Sequence, residues 1–321
     1  MQQTLEPVLL KRNFHPRDAN IQFYEEGHKY VILTEPDVKY TSVTTWNHSH
    51  FPHFDADAII SNMMKGRGWK EGHKYWGLTA EQIKTLWSDN AASVSGAGTN
   101  LHFEIECFNN EPQAESGYTN RELYDHYMRC NKDTHESRPI EWQYFINFVR
   151  DHPDLKPYRT EWILYNEDVK ISGSIDMVYE NPDGTLSIYD WKRSKNITRI
   201  NNFNKFALSP QICHLPDSNF WHYALQLNTY KAIIEQKYGK KVTDLFLRNL
   251  DRKLLKGGDK TENVRKYISK YIDSLQQRTD NQDSSDDFDV EDELDTDLDT
   301  EIDLEDEQDG QEPTVTELVQ Q

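Results

Sequence analysis

The sequence predicts an α/β chain of the α+β type, and three observations predict it. Helix-start signals with helix-period apolar residues recur between Asp55 and Val149. Three short β-rich runs, separated by turn residues, occupy 158–191. A long helical stretch and one more apolar run then follow, ending near Leu250.

Taken in order, Ile21-Gln22-Phe23-Tyr24 and Tyr30-Val31-Ile32-Leu33 flank Glu25-Glu26-Gly27-His28, a hairpin pattern. Asp55 suits the N-cap of a short helix through Ala58, Ile59 and Met63, and Gly66, Gly68, Gly72 and Gly77 mark a looser stretch after it. Thr79 with Gln82 forms a capping box, each side chain satisfying an orphan backbone N–H, and starts a helix through Ile83 and Leu86. A separate, longer helix is predicted from about Ser93 to Phe108. Thr119 and Glu122 give a second capping box for a helix through Tyr127. Pro139 suits the first turn of a helix carrying Ile140, Tyr144, Phe145, Phe148 and Val149.

The pattern then changes to strands at Tyr158 to Tyr165, Ile171 to Tyr179 and Thr185 to Trp191, the last two joined by the turn residues Asn181-Pro182-Asp183-Gly184. A helix from about Ser218 to Tyr238 and a strand from Val242 to Leu250 complete the apolar part. Residues 261–278 read as a charged helix and those beyond Asp280 as disorder, since acidic, apolar-poor chain buries too little surface to order itself. Three domains follow: an N-terminal extension over 1–90 packing on the core, a core over 91–279, and an acidic tail over 280–321.

Composition bounds the function. The chain has 321 residues, 36% hydrophobic and 12% aromatic, enough for a sizeable core. No apolar run reaches the roughly 18–20 residues of a membrane span. Met1-Gln2-Gln3-Thr4-Leu5-Glu6 lacks the basic start and apolar stretch of a secretory signal, so an intracellular, soluble protein is expected. Cys107, Cys130 and Cys213 lie far apart with no C-x-x-C pair, which argues against disulfides, structural zinc or a four-cysteine cluster; they are expected reduced, in or near the core. The formal charge of −19 resides wholly in the tail: 280–321 holds 19 of the 55 acids and no base, leaving 36 acids against 36 bases. That tail suits an inert solubilising segment, a docking segment for a basic protein partner, or a mimic of a DNA strand; docking is favoured. His48, His50 and His53 form an H-x-H-x-x-H cluster, but without cysteine and with Phe51-Pro52 between them they read as a loop. The aromatic residues of 21–87 suit core packing, the simpler reading, or base-stacking platforms.

The three strands, read as a meander, gather chemistry. A turn centred on Asp183 sets Asp176 opposite Asp190, and a turn centred between Asp168 and Val169, or one residue earlier, sets Glu161 opposite or next to Asp176. Asp190 and Lys192 share a face because side chains alternate. Opposed carboxylates destabilise a sheet by roughly 0.2–1 kcal/mol per pair, and a hard divalent cation relieves that repulsion. Gly98, His102 and Glu106, four apart, lie along one helix face, with Gly98 permitting close approach of another backbone.

These residues also resemble a known family. Gly173-Ser174-Ile175-Asp176-Met177-Val178 and Ile188-Tyr189-Asp190-Trp191-Lys192 are similar to two motifs of the RecB-like branch of the PD-(D/E)XK nucleases. Gln226-Leu227-Asn228-Thr229-Tyr230 resembles that branch's Q-x-x-x-Y helix, and Gly98-Thr99-Asn100-Leu101-His102 through Glu106 its G-T-x-x-H-x-x-x-E helix. The wording around His214-Leu215-Pro216-Asp217 and His222-Tyr223-Ala224-Leu225-Gln226 is most similar to members carried by large DNA viruses and phages.

The resemblance implies a restriction-endonuclease-like mixed sheet flanked by helices, and Mg²⁺- or Mn²⁺-dependent hydrolysis of DNA, as an exonuclease in replication, recombination or repair. It implies that His102, Asp176, Asp190 and the Trp191 carbonyl ligate the metal, and that Lys192 positions or deprotonates the attacking water. Gln226 and Tyr230 would hold Lys192 or a DNA phosphate. Glu106 and Glu161 read equally as catalytic carboxylates or as ordinary surface charges. Against the whole set stands a solvated salt-bridge face on an ordinary sheet, and against the enzyme a catalytically silent nuclease-fold module that binds DNA or protein.

Overall fold

The computed structural model describes residues 7–111, 117–194, 197–201 and 203–250. Among them, residues 7–54 with 97–250 form one compact unit and 55–96 another. The predicted charged helix at 261–278 and the acidic tail lie outside the described residues.

The first unit is a mixed sheet covered on both faces. Its strands are β3 (Thr41–Ser42), β4 (Lys156–Asn166), β5 (Ile171–Glu180), β6 (Leu186–Lys192) and β7 (Val242–Asn249); β1 (Ile21–Tyr24) and β2 (Lys29–Ile32) form a separate hairpin. The meander appears as read: β4 and β6 each pair antiparallel with β5, while β7 runs parallel to β6 and β3 parallel to β5. Gly184, at φ +80°, closes the β5–β6 turn with its N–H donating to the Asn181 carbonyl (2.9 Å).

Since β4 takes one edge of β5 along its length, β3 and β6 share the other. β3 meets Ile171 and Ser172, and β6 meets Met177 to Glu180. Among the described residues no strand pairs with 173–176 on that edge. The sheet therefore has a gap, and this gap positions the site.

Helices cover the two faces. On one, α1 (Val8–Arg12), α4 (Ala80–Asn110), α5 (Asn120–Asn131) and α6 (Ile140–Asp151) enclose Met177, Tyr179, Tyr189 and Trp191 with Phe108, Trp142, Phe145 and Phe148. On the other, α2 (Val43–His48) and α7 (Asn219–Lys237) bury Trp162, Ile175, Val178 and Ile188. Both predicted capping boxes form, at Thr79/Gln82 and Thr119/Glu122, and Asp55 caps α3 (Ala56–Lys65) by accepting from the Ala58 N–H (2.9 Å).

Two expectations are corrected. The helices read as separate through Leu86 and from Ser93 are one, α4, because residues 87–93 hold neither Pro nor Gly and the ladder runs on through polar residues of only modest helix propensity. The cysteines are not in the core: Cys107, Cys130 and Cys213 are all exposed. Spacing alone does not tell a small apolar residue on an outer face from one turned inward.

The segment before β1 is clamped to β4 by Asp18. Its carboxylate accepts from Arg159 Nη1 (2.6 Å), Trp162 Nε1 (3.0 Å) and the His15 N–H (2.9 Å), and Arg159 is 4% exposed. Removing one partner of such a pair strands a buried charge. Asp18→Ala should therefore cost about 3 kcal/mol of unfolding free energy, read as a lower urea midpoint at unchanged slope.

Candidate metal centre

The site begins with a break in strand alternation. Ile175 and Met177 are two apart, yet Ile175 packs in the α7-side core and Met177 in the α4-side core. The phase reverses at Asp176. Across from it, the pairs Thr160–Met177 and Trp162–Ile175 set Glu161 opposite Asp176, as the register predicts, and Glu161 has φ +42°. A non-glycine residue there is strained, and such strain clusters at functional positions. Thr160 meets α4 by accepting from Asn110 Nδ2 (2.9 Å), whereas Trp162 faces the opposite core. The reversal lets both carboxylates reach the gap.

Asp176 spans that gap by accepting from the Trp191 N–H through Oδ2 (2.8 Å), one residue beyond where a ladder bond would lie. Glu161 Oε2 accepts from the Ser174 hydroxyl (3.0 Å). From α4, His102 Nε2–H donates to the Trp191 carbonyl (3.0 Å), and a carbonyl only accepts, so this bond fixes the tautomer. Nδ1 is thereby turned toward Glu161 Oε1 and Asp176 Oδ2, 3.8 Å from each.

His102, Glu161 and Asp176 each offer a ligand atom, all within 4.8 Å of one another. Donors on opposite sides of a Mg²⁺ ion lie about 4.2 Å apart. Small side-chain adjustments would close the set around such a cation; the two carboxylates are donors that suit Mg²⁺ or Mn²⁺, and the imidazole is a donor more usual for first-row transition metals. The electrostatics agree. Burial and the neighbouring Asp176 push the Glu161 carboxyl up to about 7, and burial raises Glu106. Burial works to lower His102, but the charges of Asp176 and Glu161 outweigh it, so its imidazole is raised above 6.5. Crowded carboxylates gather protons that a divalent cation would displace.

Asp190 and Lys192 share a face as expected, with Asp190 Oδ2 3.3 Å from Lys192 Nζ and both nearly buried. Asp190 stands beside Lys192 rather than in the three-donor set, whose third member is Glu161. The ammonium also lies 4.8 Å from the Tyr223 ring centroid, a cation–π contact that the sequence reading missed. Its signal was available: Tyr223, Gln226 and Tyr230 stand at 0, +3 and +7 on α7, one helix face. Ser174 was likewise missed.

Gln226 is half-buried and hydrogen-bonds the Tyr230 hydroxyl. Tyr230, 3% exposed, packs on β5 where a Cβ on Gly173 would sit 2.7 Å from its oxygen, so glycine makes room for it. Gly98 does not act as expected, since a Cβ there would meet nothing within 4 Å. The histidines of the H-x-H-x-x-H cluster have other neighbours. His48 ends α2 with its ring against His222, while His50 Nδ1 bonds Ser209 Oγ (2.7 Å) and burial lowers it to about 4.

The chain matches the model of the PD-(D/E)XK nuclease superfamily over residues 106–312 and belongs to that superfamily. Its members are usually nucleases that use divalent metals. Searches of curated proteins and of solved structures give no match. Among the described residues, no helix is long and apolar enough to cross a membrane.

Raised carboxyl and imidazole values both mean that the folded state holds more protons than the unfolded one, so stability falls as pH rises. For Glu161 the window runs from about 4.5 to about 7, and for His102 it opens at 6.5. In a chelator, the melting temperature should drop across this range, Glu161→Gln should flatten the slope, and Mg²⁺ or Mn²⁺ should raise the melting temperature at pH 8.

Proposed function

We propose that the chain is a Mg²⁺- or Mn²⁺-dependent deoxyribonuclease of the RecB-like branch, acting as an exonuclease in DNA replication, recombination or repair. The observation that carries this reading is the meeting of His102, Glu161 and Asp176 at the sheet gap, with Lys192 on the adjoining strand. A bound divalent ion would neutralise charge building on the phosphate and lower the pKa of bound water.

In this reading His102, Asp176 and Glu161 hold the ion, the Trp191 carbonyl orients His102, and Asp190 completes the shell or holds Lys192 in place. Lys192, set between Asp190 and the face of Tyr223, keeps an ammonium aimed at the attacking water or the scissile phosphate. Glu106, one turn beyond His102, adds negative charge behind Glu161. Tyr230 is a buried support for Gln226, which reaches Lys192 or a DNA phosphate. The virus- and phage-like wording of residues 214–226 suits an enzyme of an infected cell, and the acidic tail suits a basic protein partner.

The test is cleavage of labelled linear and circular DNA, single- and double-stranded, with Mg²⁺, Mn²⁺ or EDTA. Metal-dependent cleavage of linear DNA is expected, with Asp176→Ala and Lys192→Ala each slower by about 100-fold or more. Circles should resist; if they are cut, the enzyme is an endonuclease. A folded protein that cuts nothing is a silent binding module.

A further inference from the structure

The second unit, residues 55–96, carries chemistry that the metal centre does not use. Residues 64–78 hold four bases, Lys65, Arg67, Lys70 and Lys74, against one acid, Glu71. All four bases are exposed, and none enters an ion pair among the described residues. Two acids of the flanking helices, Asp57 and Glu81, are instead engaged by Lys84 (2.6 and 3.3 Å). The unit's positive charge is thus gathered on this one loop, while the rest of 55–96 holds Lys84 alone against Asp55, Asp57, Glu81 and Asp89.

The same loop exposes aromatic surface. Trp76 is 47% exposed, and Trp69 supports it from the side, ring centroids 5.8 Å apart at 57°. With Met64, Leu78 and the start of α4 they line an open cleft of about 460 Å³, within the range that holds a ligand of small-molecule size. The loop is tied down: the Trp76 N–H donates to the His73 carbonyl (2.9 Å), and Trp87 Nε1–H of α4 donates to the Tyr75 hydroxyl (3.0 Å). A fixed, half-exposed indole, on a loop whose four exposed cations enter no ion pair among the described residues, suits a ligand with flat apolar rings joined by anions.

We propose that this cleft binds single-stranded nucleic acid, Trp76 stacking on a base while Arg67, Lys70 and Lys74 take the flanking phosphates. Stacking selects the unpaired strand, because a base inside a duplex has both faces covered. The α4 N-terminus at the cleft adds a partial positive charge for a phosphate. The inference deepens the nuclease reading by naming a second contact for its substrate.

The test uses the full chain in EDTA, so that binding is read without hydrolysis, with a fluorescent oligo-thymidylate strand and a hairpin duplex as probes. Tighter binding of the strand than of the duplex is expected. Trp76→Ala should weaken strand binding about 10-fold, and Trp76→Phe should restore most of it. Lys70→Ala with Lys74→Ala should lower the salt slope by about 0.7 for each phosphate that is no longer neutralised. With metal added, Trp76→Ala should raise KM and leave kcat at saturating DNA unchanged. Variants that bind like the parent, or a duplex bound as tightly as the strand, would overturn the platform. Trp76-dependent binding without cleavage would keep the platform and remove the nuclease; cleavage with Trp76-independent binding would do the reverse.

Discussion

The bond from the Trp191 amide to Asp176 is the interaction on which the rest of the site depends. It lies just past the last β5–β6 pair, Met177–Tyr189, where the ladder has ended. A backbone N–H left bare inside a sheet would be costly, so the carboxylate that satisfies it also makes the parting of the strands tolerable. The Trp191 carbonyl, on the same residue, does the equivalent for His102. One residue thus ties the helix ligand and the strand ligand to a common point, while its indole is buried among Phe145, Phe148 and Tyr189. Backbone geometry at the site is tied to the packing of this side chain in the α4-side core.

The two halves of the site belong to different cores. His102, Glu161 and Asp176 gather on the α4 side, whereas Lys192, Tyr223, Gln226 and Tyr230 are arranged by α7. The sheet gap connects them. Gly173 matters because it borders that gap: its missing side chain is the volume the Tyr230 hydroxyl fills. A cluster of carboxylates stands on one side of a strand edge and a single ammonium, Lys192, on the other, an arrangement that suits holding a cation and a phosphate together.

Membership of the nuclease superfamily and the geometry of the gap are independent supports for the proposed chemistry. The family match rests on the pattern of residues 106–312, and so does not include His102. The position of His102 against Asp176 and Glu161 comes from the fold.

The sequence by itself determined the meander and its register to within a residue. Turn residues at Asn181–Gly184 and the spacing of the apolar runs put Glu161 opposite or next to Asp176, and the strand pairing places it opposite. Capping boxes at Thr79 and Thr119 and the N-cap at Asp55 were legible too, because each is satisfied within one turn of helix. Only the tertiary structure decided which carboxylates meet His102 within ligand distance of one another. A strict period of two aligns Glu161, Asp176 and Asp190, and the reversal at Asp176 with the positive φ of Glu161 breaks that period. Such a break arises from two cores competing for neighbouring side chains, a contest between residues far apart in the chain. The outward cysteines have the same origin: local pattern sets what an element can be, and distant packing selects which way its residues face.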